Sequence, residues 1–211
     1  LGEEAYEEYR QAMMKAMKIS TDEAIARTES LSVTPIAEIR DAAKDVSKKY
    51  GDTSLRGLAA HMQSNQVGLR DNLSGVVVVS SAKEAIDNGH PNYYVPRTRV
   101  LHIGKFKTSK QYPAYRFVLS TELGKRIAKS LREEPREYLN AAKGVGRLVK
   151  EAFASVGLKG VGVNEIRHSQ ITDLIKGNPS EANVKRVSLM MKHSPTMTLR
   201  YYRGKTIPDD A

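Results

Sequence analysis

A histidine and two tyrosines lie close together in the C-terminal stretch MKHSPTMTLRYYRG, residues 191–204. A histidine can exchange protons near neutral pH, and a tyrosine can act as a nucleophile when cations or a base lie beside its phenol. The surroundings suit this chemistry, because six basic residues and no acidic residue occur from Lys185 to Lys205. The residue types therefore predict a nucleophilic tyrosine with His193 as its local partner.

A helix break separates this histidine from the tyrosines. Ser194 followed by Pro195 is typical of an N-cap with proline at the first helical position, so we expect a new helix to begin there. His193 would then be the last residue of the preceding helix, whose partly negative end favours a protonated imidazole. The break would let His193 approach a side chain of the next helix.

Only one of the two adjacent tyrosines can face a shared site, because neighbouring side chains on a helix point about 100° apart. Tyr201 follows Met197 by four residues, an apolar pair suited to packing. Tyr202 follows Thr198 by four residues and lies next to Arg203. This pattern favours Tyr202 as the side chain that faces the site.

The elements that must position these residues are mostly helices. Helical spacing of apolar residues predicts helices within the ranges 3–18, 22–31, 34–51, 52–66, 120–131, 146–157, 164–177, 179–193 and 194–204. In the third of these, Thr34 is the expected N-cap and Pro35 the first helical residue. The VVVV run at 76–79 predicts a buried strand, and partial alternation predicts two antiparallel strands, 98–107 and 112–119. The expected fold is mostly α with a small antiparallel β-sheet (α+β).

The charge distribution indicates a polyanionic partner. The 211-residue chain has a formal net charge of +10, and its positive charge is concentrated in two acid-free tracts, 97–116 and 182–208. The two tracts would form one phosphate-binding face if the fold brought them together. The candidate DNA-binding residues are Arg97, Arg99, Lys105, Lys110, Lys192, Arg200 and Arg203.

The absence of cysteine excludes disulfide frameworks, thiolate zinc sites and cysteine nucleophiles. The remaining histidines show no metal-ligand spacing, so we expect neither a metal nor a cofactor. No apolar run approaches the ~18–20 residues needed to cross a bilayer, and the acidic, polar first ten residues do not resemble a signal peptide. We expect a protein of the cytoplasm and nucleoid, or of the nucleus, that is not secreted.

Four motifs, in order along the chain, resemble the boxes of the tyrosine recombinase (phage integrase) family. VGLRDNL resembles the first arginine box and supplies Arg70, and LHIGKFKTSK resembles a β-hairpin whose lysine precedes a threonine, which matches Lys107. NEIRHSQITDL resembles the second arginine box and supplies Arg167. In MMKHSPTMTLRYY, the family tyrosine follows nine residues after the histidine, and nine residues after His193 is Tyr202.

The resemblance spans about residues 34–203 and implies metal-free, ATP-independent cleavage and rejoining of DNA strands. Arg70 and Arg167 would clamp the nonbridging phosphate oxygens, which neutralises charge on the phosphorane. Tyr202 would attack phosphorus and form a 3′-phosphotyrosyl link, with His193 helping to move the tyrosine proton. Lys107 would protonate the departing 5′-oxygen.

Two positions depart from the family pattern. Asn164 stands where the family usually has a histidine three residues before the second arginine, and an asparagine can donate a hydrogen bond but cannot transfer a proton at neutral pH. Leu73 stands where an acidic residue usually follows the first arginine by three residues. The acid/base duty of the first position is therefore open.

The resemblance implies a site-specific recombinase or integrase that acts on double-stranded DNA, with self-association into a tetramer. A type IB topoisomerase or a telomere resolvase would use the same chemistry, and a non-catalytic helical DNA-binding module is the alternative of another class. We expect residues 1–32 to form a helical appendage or linker and residues 33–211 the catalytic domain, with an N-terminal DNA-binding domain outside this chain.

Overall fold

The computed structural model describes residues 11–12, 33–65, 73–176 and 180–192, together with Ser194, Pro195 and Thr198. Within this part, seven helices and one four-stranded sheet are present. The helices are α1 (Ile36–Tyr50), α2 (Leu55–Asn65), α3 (Ala82–Asp87), α4 (Thr121–Glu133), α5 (Val145–Ala154), α6 (Val163–Lys176) and α7 (Glu181–Met191). The strands are β1 (Val77–Val78), β2 (Asn92–Val95), β3 (Val100–Ile103) and β4 (Tyr115–Val118).

The main core lies between the helices and one face of the sheet. Helix α1 contributes Ile36, Ile39, Ala43 and Val46, because their spacing of three to four residues puts them on one side of the helix. The period of two along the strands sends alternate side chains into the same core. These inward residues include Tyr94, Leu101, Ile103 and Tyr115.

The strands lie in the order β1-β2-β3-β4, with β1 parallel to β2 and the other two pairs antiparallel. The predicted fold class is confirmed, and the predicted strand within 76–79 and the antiparallel hairpin are present. The sheet is larger than predicted, since β2 was not anticipated. Helix α3 was not anticipated either.

The hairpin strands are shorter than the predicted 98–107 and 112–119. Pairing stops after Ile103 because the next backbone N–H groups bond elsewhere: Gly104 N donates to Pro91 O (2.8 Å) and Lys105 N to Asn92 Oδ1 (2.8 Å). The connection over residues 104–114 is therefore longer than the loop 108–111 that the predicted strands left between them.

Helix α7 packs on α6 through a separate apolar cluster of Ile171, Ile175, Val187 and Met191. It ends at Met191, two residues earlier than predicted, because Lys192 adopts a left-handed conformation (φ 53°, ψ 50°). A left-handed residue redirects the chain and cannot continue the helix. The predicted helix end at residue 193 is therefore two residues too late, and the prediction for His193 itself lies outside the described residues.

A new helical turn begins at the predicted Ser-Pro pair. Thr198 N donates to Ser194 O (3.0 Å), which is the bond that opens an α-helix with Ser194 at its start. Thr198 is fully buried, and Ser188 Oγ of α7 donates to Thr198 Oγ1 (2.7 Å). This contact holds the chain beyond the break against α7.

Three smaller expectations have mixed outcomes. Helix α1 begins at Ile36, one residue later than predicted, because Pro35 has an extended ψ of 139° and occupies the cap position in place of Thr34. Of the predicted N-terminal helices, only Gln11 and Ala12 belong to the described residues, and both are helical. In the described part of the chain, no helix combines the length and apolarity that a bilayer span requires.

Candidate active site

Arg167 is held at the end of α7 by a backbone contact. It lies one turn into α6, is 4% exposed, and donates from Nη2 to Met191 O at 2.6 Å. The last carbonyls of a helix lack helical donors, so a guanidinium can satisfy one of them with a charge-assisted bond. This bond fixes the arginine side chain at Met191, the residue before Lys192.

Lys107 lies in the loop between β3 and β4, and its side chain is exposed. On one side, Phe106 packs into the hairpin, with its ring centroid 5.0 Å from that of Tyr115. On the other side, Thr108 Oγ1 donates to Lys192 O at 3.3 Å. Lys107 is therefore an exposed cation between two anchored neighbours, and the loop that carries it contacts the end of α7.

The end of α7 brings two predicted site residues into one neighbourhood. Its successive carbonyls, of Met191 and Lys192, accept from Arg167 on α6 and from Thr108 on the hairpin loop. The Lys192 side chain also reaches the hairpin, with Nζ 5.1 Å from the Tyr115 ring centroid. Arg167 and the Lys107 loop thus bond to the two residues, Met191 and Lys192, that precede His193 in sequence. His193 and Tyr202 lie outside the described residues.

The segment that carries Arg70 also lies outside the described residues, but the chain on both sides of it is anchored. At the end of α2, Gln170 Nε2 donates to Gln63 O (2.9 Å) and Ser64 O (3.2 Å). Gln170 lies one turn after Arg167 on α6, so both side chains project from the same side of that helix. After the segment, Ser74 Oγ accepts from Val145 N at 3.2 Å.

The two departures from the family pattern have different structural settings. Asn164 is exposed in the first turn of α6, three residues before Arg167. Leu73 is fully buried in the main core. A carboxylate at position 73 would be removed from water without compensation, which explains an apolar residue there.

The basic residues of tract 97–116 lie in two groups along the hairpin. Lys105, Lys107 and Lys110 lie in the loop at one end of the hairpin, and Arg97 and Arg99 lie in the turn at its other end. Four residues of β3 separate the two ends, which is roughly 14 Å of extended chain. The two predicted groups of DNA-binding residues are therefore separated by the length of β3.

The two arginines of the turn differ in their contacts. Arg99 has a left-handed backbone (φ 56°), donates from Nε to Leu119 O at 3.2 Å, and lays its aliphatic stem against Gly124 of α4. Arg97 is exposed and lines a groove of about 450 Å³ on the outer face of the sheet, together with Arg116. Arg99 thus has a structural role that charge alone did not indicate.

The loop lysines are available to an external anion. Among the described residues, no carboxylate lies within ion-pair distance of Lys105, Lys107 or Lys110. All three side chains are exposed. In the same described part of the chain, no group of three or more His, Asp or Glu side chains is arranged to hold a metal ion.

Tyr50 illustrates how cations act on a tyrosine in this protein. A hydrogen bond with Ser155, followed by the charges of Lys49 and Arg56, lowers the pKa of the Tyr50 phenol. Its ring centroid is 5.5 Å from Lys49 Nζ and 5.0 Å from Arg56 Cζ. Tyr50 ends α1 and has no described contact with the hairpin loop, so it provides a useful control tyrosine.

Sequence reasoning missed the side chains that hold the site together. The hydrogen bonds of Thr108 and Gln170 join residues 84 and 107 positions apart. The bond of Ser188 joins α7 to Thr198, beyond the helix break. Such pairings follow from the fold rather than from local pattern. One signal was present, since the Lys107–Thr108 pair matches the family hairpin motif. The motif predicted a catalytic role for Lys107 and predicted no role for Thr108.

Comparison with known proteins supports the fold. No protein-family model matches the sequence, and no curated protein matches it. Among solved structures, the chain is similar to the crystal structure of XerA recombinase, with a TM-score of 0.52 and 13% sequence identity. The similarity covers 82% of this chain and 57% of that chain. The described structure therefore resembles that recombinase in fold.

Proposed function

We propose that this chain is the catalytic domain of a DNA strand transferase of the tyrosine recombinase class, a site-specific recombinase or integrase. The observation that carries the proposal is the meeting of Arg167 and the Lys107 loop on two successive carbonyls at the end of α7. Lys107 and Arg167 belong to different motifs and are 60 positions apart in sequence. The residue after Lys192 is the motif histidine. The tyrosine recombinase fold agrees with this assignment.

In the proposed reaction, the Tyr202 oxygen attacks the scissile phosphorus, and the bond from phosphorus to the 5′-oxygen breaks. The phenolic proton leaves through His193, and Lys107 supplies a proton to the departing 5′-oxygen. Arg70 and Arg167 stabilise the negative charge of the phosphorane. A guanidinium has five N–H donors, so a bond from Arg167 to Met191 O is compatible with a second bond to phosphate.

Rejoining reverses these steps. A 5′-hydroxyl from a second strand attacks the phosphotyrosyl link, so the energy of the broken phosphodiester is retained without ATP. Exposed Lys105, Lys110 and the half-exposed Lys192 surround the loop and would hold the flanking phosphates of double-stranded DNA. We also propose self-association into a tetramer on DNA, with residues 1–32 as an appendage of the catalytic domain 33–211.

A nicked suicide duplex tests this function. Cleavage beside the nick releases a short strand and traps the enzyme as a covalent protein–DNA adduct on a denaturing gel. We expect wild type to form the adduct, Tyr202→Phe to lose it, and the controls Tyr201→Phe and Tyr50→Phe to keep it. An adduct that survives Tyr202→Phe but disappears in Tyr201→Phe would reverse our choice of nucleophile.

Other results would assign a different function. Failure to form an adduct with any DNA, combined with salt-dependent DNA binding, would favour a non-catalytic binding module. Adduct formation combined with relaxation of supercoiled plasmids that lack special sites would favour a type IB topoisomerase. Strand exchange between two duplexes that share a site would support the recombinase.

A further inference from the structure

The loop between β3 and β4 is attached to the neighbouring strand β2 at its beginning and is bonded to itself near its middle. Asn92 of β2 bonds to both the N–H (2.8 Å) and the carbonyl (3.2 Å) of Lys105. Further along, the carbonyl of Thr108 accepts from Gln111 N (3.0 Å) and Tyr112 N (3.1 Å) and closes a turn. The Thr108 backbone is thus the centre of this turn, and its side chain remains available for a contact outside the hairpin.

That contact is with the end of α7. Thr108 Oγ1 donates to Lys192 O over a distance of 3.3 Å, joining two residues that are 84 positions apart. Lys192 is itself in the left-handed conformation, so its carbonyl no longer points along the helix axis. A hydroxyl from another element is then a suitable donor for this carbonyl at the helix end.

The bond links the two chain segments that carry proposed proton-transfer groups. Lys107 precedes Thr108, and His193 follows Lys192. The exposed side chain of Lys107 makes no ion pair with a described carboxylate, so attachment of the loop to α7 depends on its neighbour. On the other side of α7, the bond from Arg167 to Met191 O keeps the acceptor segment in place.

We propose that Thr108 is a positioning residue, whose hydrogen bond to Lys192 O couples the lysine loop to the His193 segment. The inference rests on the proposed function and extends it to control of the leaving-group step. When the bond is present, Lys107 is presented at the end of α7; when it is broken, the loop loses one of its contacts with α7 while the Lys192–Tyr115 contact stays, so the lysine is held less tightly. The bond therefore regulates protonation of the 5′-oxygen without taking part in it.

The test compares Thr108→Val, which removes the hydroxyl at nearly constant volume, with Thr108→Ser, which keeps it. Thr98→Val at the opposite end of the hairpin is the matched control. In single-turnover cleavage of the nicked duplex, we expect Thr108→Val to be slower by roughly 3- to 10-fold, the equivalent of about one hydrogen bond. Thr108→Ser and Thr98→Val should cleave at close to the wild-type rate.

A substrate with sulfur in place of the bridging 5′-oxygen separates positioning from general damage. A thiolate leaves without a proton, so this substrate does not need the lysine. We expect Thr108→Val and wild type to cleave it at equal rates. Equal rates of the two proteins on the ordinary substrate, or an undiminished defect on the sulfur substrate, would overturn the inference.

Hydrogen exchange tests the contact without any reaction. In the full chain, Thr108→Val should increase exchange at the amides of Gln111 and Tyr112, and Thr98→Val should not. Unchanged exchange would overturn the coupling even if cleavage slowed. If wild type forms no adduct, the proposed function and the leaving-group role both fail, and exchange still decides whether Thr108 holds the loop to α7.

Discussion

The two ends of the β3–β4 hairpin contain similar basic residues but use them differently. At the loop end, Lys105, Lys107 and Lys110 are exposed, and a threonine hydroxyl makes the described contact with α7. At the turn end, Arg99 is half-buried, with its Nε on Leu119 O. The loop end presents lysines to solvent, whereas at the turn end Arg99 stabilises the backbone by bonding to a carbonyl of the neighbouring strand end.

This difference shows that the positive charge of a segment does not identify its function. An arginine has a long apolar stem and a rigid set of donors, so it can stabilise a turn by packing and by bonding to a carbonyl. Lysines on an irregular loop have weaker local constraints and are better suited to a mobile or external partner. The backbone position of each residue decides which use applies.

The largest effect should come from removing the loop cation closest to the site. We expect Lys107→Ala to slow cleavage of the nicked duplex by about 10²- to 10⁴-fold, the range for loss of general acid catalysis. Arg97→Ala at the turn end is the matched control and should change the rate by about twofold or less. Single-turnover rates on the covalent-adduct assay measure both.

The sulfur-bridged substrate sharpens this prediction, because it should restore Lys107→Ala to near the wild-type rate. If Lys105→Ala or Lys110→Ala shows the large defect and the restoration instead, the catalytic lysine has been assigned to the wrong loop residue. If Arg97→Ala is as damaging as Lys107→Ala, the contrast between the two ends is wrong.

An intermediate effect should appear in stability when the turn arginine is removed. We expect Arg99→Ala to destabilise the fold by about 1–3 kcal/mol, through loss of the bond to Leu119 O and of the stem packing on Gly124. Lys107→Ala should change stability by about 0.5 kcal/mol or less. Denaturant unfolding of both variants measures the difference.

A double-mutant cycle with Gly124→Ala tests the packing directly. A Cβ at Gly124 would meet the Arg99 side chain, so the single substitution should destabilise α4 despite the better helix propensity of alanine. In the Arg99→Ala background, the same substitution should become neutral or stabilising. Additive effects of the two substitutions would show that the stem does not rest on Gly124.

The smallest effect should be a pH dependence from the middle of the hairpin. His102 on β3 stacks on Tyr93, and burial, followed by the charge of Arg116, lowers the pKa of its imidazole. The folded state therefore favours neutral His102. The contribution of His102 to the free energy of unfolding is complete above about pH 6.5 and is lost as pH falls through the folded pKa.

Unfolding free energies measured from pH 7.5 to pH 5 check this expectation. His102→Gln should weaken the loss of stability in acid relative to wild type. His61→Gln should also weaken this loss, because burial lowers the pKa of His61 on α2 as well. An identical acid dependence in wild type and His102→Gln would contradict the assignment.

Much of the fold could be predicted from local patterns. Apolar residues at helical spacing located α1, α2 and α4 to α7, and the Ser194–Pro195 pair located the helical turn that follows α7. Helix α3 and strand β2 were missed because they are short, and short elements depend on tertiary packing. The hairpin strands were overestimated because Asn92 and Pro91 bind the backbone where alternation continues.

The candidate site was predictable as a set of residue types and only partly as an arrangement. The spacing of motifs indicated Arg167 and Lys107, but it could not show that both segments bond to the end of α7. Nor could it distinguish Arg99 from the exposed Arg97, since both are basic residues of the same tract. Contacts between elements far apart in sequence decide these points.

The contacts at the end of α7 also limit where the sequence can accept insertions and deletions. The helix is bounded at Met191 by Arg167 and Thr108, so adding one residue within α7 would rotate its end by about 100° and shift it by about 1.5 Å. Both carbonyls would then leave their donors. We therefore expect insertions and deletions inside α7 to be excluded among functional variants, while the long hairpin loop beyond Lys110 tolerates them.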